Sequence, residues 1–156
     1  MKIHILRHAK TNAESFSGKD KDRKLSTKGI KQTKCFLKEK SNSITNVLVL
    51  CSDAERTKET LSLIDIKDNP FKKRHLEELY LASCSEIENI IREQKTEGDL
   101  FIIGHNFGLS DFVSKALFTD FYLKTCEYIC LEVDIEKWKD YIEGAAVKID
   151  SFRPTT

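Results

Sequence analysis

The stretch Ile3-His4-Ile5-Leu6-Arg7-His8-Ala9-Lys10 runs a short strand-forming segment straight into a cluster of side chains that can carry positive charge. Ile3 to Leu6 is too short for a helix and rich in branched aliphatics, as are Val47 to Cys51 and Leu100 to Ile103, so all three read as strands. Their apolarity is near-continuous rather than alternating. Strands of that kind lie buried on both faces of a largely parallel sheet, with helices above and below.

Helical patterns occur where that arrangement needs them. Leu109, Phe112, Val113, Ala116 and Leu117 follow the i, i+3, i+4, i+7, i+8 stripe of a helix with one buried face. Cys84, Ile87, Ile90 and Ile91 make a second stripe, with Ser85-x-x-Glu88 read as its capping box. Ser26 to about Glu39 and Asp53 to about Ile64 supply two more helices. Strands around Thr125 to Asp134 and Ala145 to Phe152 are joined by too few residues for a crossover helix, which makes them an antiparallel pair at one edge. The expected fold class is α/β: a three-layer α/β/α sandwich, its sheet mostly parallel with an antiparallel edge, in a single domain over residues 1–156. One long irregular stretch, Thr11 to Lys24, follows the first strand; such loops in compact domains are commonly functional.

The 156 residues, 40% hydrophobic and 33% charged, suit one globular core. With 26 basic against 25 acidic residues the net charge is +1, so the excess cation that drives counterion release from nucleic acid is missing, and nucleic acid is not an expected partner. No apolar run approaches the ~20 residues of a membrane span, and Arg7 interrupts the N-terminal run before a signal-peptide core forms. A membrane partner is therefore not expected, and the expected location is cytoplasmic. Five cysteines without a Cys-x-x-Cys pair read as reduced structural thiols. Cys126 and Cys130 with His4 or His75 match no zinc-knuckle spacing, so neither metal nor other cofactor is expected. His4 reads as a core histidine, His75 as a surface one, and Trp138, Tyr141 and Phe152 as packing residues. The sequence does not specify an oligomeric state.

In parallel α/β sheets the ligand site lies beyond the carboxyl ends of the strands. The Ile3 strand ends in Arg7-His8, the Val47 strand in Cys51-Ser52 with Arg56 on the helical turn that follows, and the Leu100 strand in Gly104-His105-Asn106. Two histidines and two arginines thus meet at one edge. Leu76-Glu77-Glu78-Leu79 is expected to bring a carboxylate there, from Glu78 or Glu77, unless both are a surface pair. Guanidinium forks and a helix N-terminus suit a tetrahedral dianion. A neutral imidazole whose Nδ1–H is held by a carbonyl can present Nε2 to phosphorus. A second histidine, if protonated, would clamp the charge on the equatorial oxygens, and a carboxylic acid would protonate the leaving group.

Leu-Arg-His-Ala-Lys at 6–10, Ser-Asp-Ala-Glu-Arg-Thr-Lys-Glu-Thr at 52–60 and Ile-Gly-His-Asn-Phe-Gly-Leu at 103–109 resemble the signature blocks of the histidine phosphatase superfamily, which has the phosphoglycerate mutase-like fold. Within it the chain most resembles the SixA-like phosphohistidine phosphatases. Asp22-Arg23-Lys24-Leu25-Ser26-Thr27-Lys28-Gly29 is similar to that family's block before its first helix. Ala9 stands where the superfamily most often has Gly, and an Arg-His-Ala variant is familiar in the SixA-like group. The resemblance implies that His8 is the phosphorylated nucleophile, that Arg7, Arg56 and His105 form the phosphate pocket, and that Glu78 is the acid. Arg23 and Asn106, inside the same blocks, are further substrate-binding candidates; Arg23 read alone is one charge in a solvated run. The implied activity is a metal-independent phosphatase acting on phosphohistidine in a protein. The alternatives are a phosphomonoesterase for a small phosphorylated metabolite and a phosphate-pocket module without turnover. A mutase needs a lid against water, and the interval from Glu78 to His105 is taken up by one helix and one strand.

Overall fold

The structure is a computed structural model that describes residues 1–65 and 70–155. Its elements in chain order are β1 (Lys2–Arg7), α1 (Thr27–Lys40), β2 (Val47–Ser52), α2 (Glu55–Ile64), β3 (Lys72–Leu76), α3 (Cys84–Arg92), β4 (Asp99–Gly104), α4 (Gly108–Leu117), β5 (Tyr128–Val133) and β6 (Ala146–Phe152). Short 3-10 turns cover Asp20–Asp22, Glu77–Leu79 and Trp138–Asp140. They form one six-stranded sheet of order β3-β2-β4-β1-β5-β6. Its first four strands are parallel, while β5 runs antiparallel to β1 and β6 antiparallel to β5. This is the phosphoglycerate mutase-like α/β architecture.

The continuous apolarity of β1, β2 and β4 is explained by burial on both faces. Ile5, Leu50, Leu100 and Ile102 face α3 and α4 with Ile87, Ile91, Leu109 and Phe112. Leu6, Val49, Phe101 and Ile103 face the other layer with Phe36, Leu61 and Ile64. Each fully buried aliphatic of this kind contributes about 1.5–3 kcal/mol. β3, Lys-Lys-Arg-His-Leu, is exposed from Lys72 to His75, and its cations keep this sheet edge from pairing with another chain.

β3 ends at Leu76, and Glu77–Leu79 is a 3-10 turn. Two readings are corrected. The capping box of α3 is Ser83 with Glu86, not Ser85 with Glu88: both pairs fit the spacing, but Glu88 is buried beside Arg92 in the helix body. α2 begins at Glu55 behind an Ala54 cap, because the Asp53 carboxylate pairs with Lys21 at 2.8 Å. His4 is buried, with Nδ1 2.7 Å from the Tyr128 hydroxyl, while His75 is exposed. Trp138 and Tyr141 are core residues. No helix among the described residues is long and apolar enough to cross a membrane.

Candidate active site

The parallel register of β1 on β4 sets Arg7 beside Gly104, and the His8 N–H donates to the Gly104 carbonyl at 3.1 Å. His8 and His105 therefore leave the sheet side by side, ring centroids 5.3 Å apart, both buried. β2 ends alongside, and its Ser52 hydroxyl lies 2.8 Å from His105 Nε2. α2 fixes the turn after the first histidine: Thr60 Oγ1 accepts the Ala9 N–H at 3.2 Å and donates to the Arg56 carbonyl at 2.7 Å. α1 closes the other side. A Cβ on Gly29 would stand 2.0 Å from the Lys10 carbonyl oxygen, so only glycine lets that helix approach. Ala9 keeps an ordinary negative φ, so the position tolerates a side chain.

Arg7, His8, Arg23, Arg56, His105 and Asn106 line one pocket of about 320 Å³, together with Lys10, Thr11, Asp20, Leu81 and Thr125. Arg56 is almost wholly buried, and its guanidinium donates to the Asp20 carbonyl at 2.8 Å and the Asp20 carboxylate at 3.0 Å. Arg23 donates to the Asn12 carbonyl, the Thr11 hydroxyl and the Asp20 carboxylate, which moulds the Thr11–Lys24 loop onto the pocket. Arg7 donates to the Leu123 carbonyl at 2.9 Å. Its Nε, like Nδ1 of His105, is buried without a partner among the described residues. Two orphaned polar nitrogens on one pocket wall fit a ligand that brings oxygens to them.

His8 Nδ1 lies 2.8 Å from the Ala9 carbonyl oxygen. A carbonyl can only accept, so the proton sits on Nδ1 and Nε2 keeps its lone pair. Burial, reinforced by Arg56, Arg7 and Arg23, pushes the His8 pKa down to about 3. Burial, with His8 and Arg56, pushes His105 down to about 2. Both rings are thus neutral in the free protein at physiological pH. The protonated clamp considered for the second histidine is not its resting form, because burial disfavours the charged ring and His8, Arg56 and Arg7 add to that effect.

The structure does not bring Glu78 to the pocket: it is exposed on the 3-10 turn after β3, as is Glu77. The carboxylate found in the pocket is Asp20, held down to about 2 by the Tyr80 hydroxyl at 2.6 Å and by Arg56 and Arg23. Asn106 is present, but its amide is committed to the Leu123 carbonyl at 2.9 Å and the Ser110 hydroxyl at 2.7 Å, so it braces the loop over Arg7. Asp20, Tyr80, Ser52 and Thr60 were not singled out from the sequence. Ser52 and Thr60 bound the second signature block, and Asp20 stands three residues before Arg23; those positions were the available signal.

A family model described as the histidine phosphatase superfamily (branch 1) matches residues 3–106. The chain belongs to the histidine phosphatase superfamily. It is accordingly a phosphatase, and the matched span holds every pocket residue named above except Thr125. No curated protein shows significant sequence similarity to the chain. Among solved structures, a candidate phosphohistidine phosphatase SixA from Nakamurella multipartitia superposes with a TM-score of 0.83 at 18% identity, covering 99% of this chain and 96% of that one. A protein histidine phosphatase SixA complexed with tungstate gives 0.79 at 18%, covering 97% and 96%. A candidate alpha-ribazole-5'-P phosphatase from Escherichia coli gives 0.71 at 15%, covering 96% and 95%. At such identities the likeness is one of fold, and this histidine phosphatase shares it over almost its whole length.

Proposed function

We propose that this histidine phosphatase removes the phosphoryl group from phosphohistidine on a protein, through a covalent intermediate on His8 and without a metal ion. The observation that carries this reading is the pairing of His8 Nδ1 with the Ala9 carbonyl at 2.8 Å inside a pocket lined by three arginines. A neutral imidazole with its Nε2 lone pair free is the form that attacks phosphorus. Arg7, Arg23 and Arg56 supply the positive charge that an ion supplies in other phosphatases. The Nε2 lone pair of His8 forms a bond to phosphorus as the substrate's P–N bond breaks, and the departing imidazole keeps the electron pair and takes a proton. Water then attacks phosphorus, the P–Nε2 bond breaks, His8 recovers its lone pair and inorganic phosphate leaves. Ser52, donating its hydroxyl proton to His105 Nε2, turns the Nδ1–H of His105 into a donor for a phosphoryl oxygen. The Nε of Arg7 provides another.

A protein substrate is favoured over a small metabolite by the surroundings of the pocket. Leu81, Phe107 and Tyr122 are 54%, 71% and 48% exposed. Phe107 and Tyr122 pack on each other at 6.3 Å, and Tyr122 lies under Arg7 at 5.8 Å. Apolar groups left in water at a site's mouth fit a protein face. The poor general acid position points the same way, because imidazole protonates near pH 6.5 and departs with little help, whereas an alkoxide does not. The test is side-by-side turnover of a phosphohistidine peptide, phosphoramidate and an alkyl phosphate, with rapid quench. An acid-labile, base-stable phosphoenzyme absent from His8→Ala is expected, with the alkyl phosphate the poorest substrate. Undiminished turnover in His8→Ala would overturn the mechanism, and preference for the alkyl phosphate the substrate.

A further inference from the structure

A second concavity, about 450 Å³, opens from the phosphate pocket and shares Arg7, Lys10 and Thr125 with it. It continues past Lys28 at the start of α1, Tyr122 and Lys124 on the loop before β5, and Arg153 beyond β6. Five of its lining residues are cations and none is acidic. Lys10, Lys28, Lys124 and Arg153 are exposed, and no ion pair within 4.0 Å involves them among the described residues. The chain as a whole carries only +1. A groove with this much unneutralised charge is therefore a local concentration, costly in self-repulsion and useful where a negative partner arrives. Tyr122 sits between two of the cations, with Lys124 Nζ 4.7 Å and the Arg7 guanidinium carbon 5.8 Å from its ring centroid. That arrangement gives the groove an aromatic floor beside its charge.

Resting on the phosphohistidine reading above, we infer that this groove docks an acidic segment of the substrate protein, next to its phosphorylated histidine. The phosphoryl group enters the inner pocket and the acidic segment lies along Lys28, Lys124 and Arg153. The mixture of cations with the exposed aromatics Tyr122 and Phe107 matches a folded or extended polypeptide that offers carboxylates and apolar contacts together. Complementary charge of this type accelerates encounter and selects partners more than it alters the chemical step, so its signature belongs in kcat/KM and in salt dependence.

The test uses a charge-reversed triple variant, Lys28→Glu with Lys124→Glu and Arg153→Glu, all outside the inner pocket. Substrates are a phosphohistidine peptide with acidic flanks, one with neutral flanks, and phosphoramidate. Wild-type enzyme is expected to prefer the acidic peptide by about tenfold or more in kcat/KM, and the variant to lose that preference, with phosphoramidate turnover retained. Raising salt from about 0.05 to 0.5 M should erase the preference in the wild type. Equal turnover of both peptides by wild type, or equal losses on both in the variant, overturns the inference. If no phosphohistidine substrate is turned over, the catalytic reading has failed, and the groove is judged separately by fluorescence anisotropy with an unphosphorylated acidic peptide. Salt-sensitive binding to wild type and none to the variant supports docking. Tighter groove-dependent binding of a single-stranded oligonucleotide of equal charge overturns it.

Discussion

The Asp20 carboxylate lies 3.0 Å from the Arg56 guanidinium, and the Asp20 carbonyl takes a second hydrogen bond from the same group at 2.8 Å. The pocket thus already holds one anion on a cation that a phosphoryl group would use. Removing the charge while keeping the shape, as in Asp20→Asn, should strengthen inhibition by inorganic phosphate about threefold or more, since a competing charge-assisted bond is lost. Inhibition constants measured for both proteins decide this; unchanged or weaker inhibition would mean that Asp20 only orients Arg56.

Arg56 itself is expected to act in the transition state. Arg56→Ala should lower kcat by ~10² or more, as does the loss of a single oxyanion donor, with EDTA leaving both proteins unaffected. A change confined to KM would assign Arg56 to ground-state binding instead.

Glu78 is exposed on the turn after β3 and does not line the pocket. Glu78→Gln should therefore leave turnover of a phosphohistidine peptide within about twofold, the usual scale for a surface change. A large loss on an alkyl phosphate alone would show that Glu78 reaches the leaving group when an alkoxide must be protonated.

Three histidines make the fold acid-sensitive. Burial lowers His4 to about 4, His8 to about 3 and His105 to about 2, against about 6.5 in the unfolded chain. Between those values the unfolded state binds up to about three more protons than the folded one, so stability falls as pH falls through that window. Denaturant midpoints measured from pH 7 to about 4 should decline steadily, and His4→Phe should flatten the slope by about one proton. A midpoint independent of pH would show that these rings titrate in the fold as they do in the unfolded chain.

The parallel strands were legible because burial on both faces leaves uninterrupted aliphatic runs, and the antiparallel edge because Val133 and Ala146 are too close in sequence for a crossover. Arg7, His8, Arg56 and His105 were legible because each adjoins the end of a strand whose position follows from the topology. Asp20 and Tyr80 were not. Their contact spans 60 residues between two irregular segments, and neither segment has a periodicity that fixes its path. The Ser85 capping box failed for a related reason, since two pairs at the same spacing overlap and only the burial of Glu88 distinguishes them.

β1 precedes both of its partners in the sequence yet lies in the interior of the sheet between β4 and β5, and the Met1 nitrogen donates to the Val133 carbonyl at 2.9 Å. During synthesis this strand has no neighbour until β4 emerges and keeps one open edge until β5 does, so Arg7 and His8 are translated well before the strands that enclose them. Such long-range closure slows folding and leaves an apolar edge exposed on the nascent chain. It also means that the pocket cannot form around His8 before β4 and β5 are available to pair with β1.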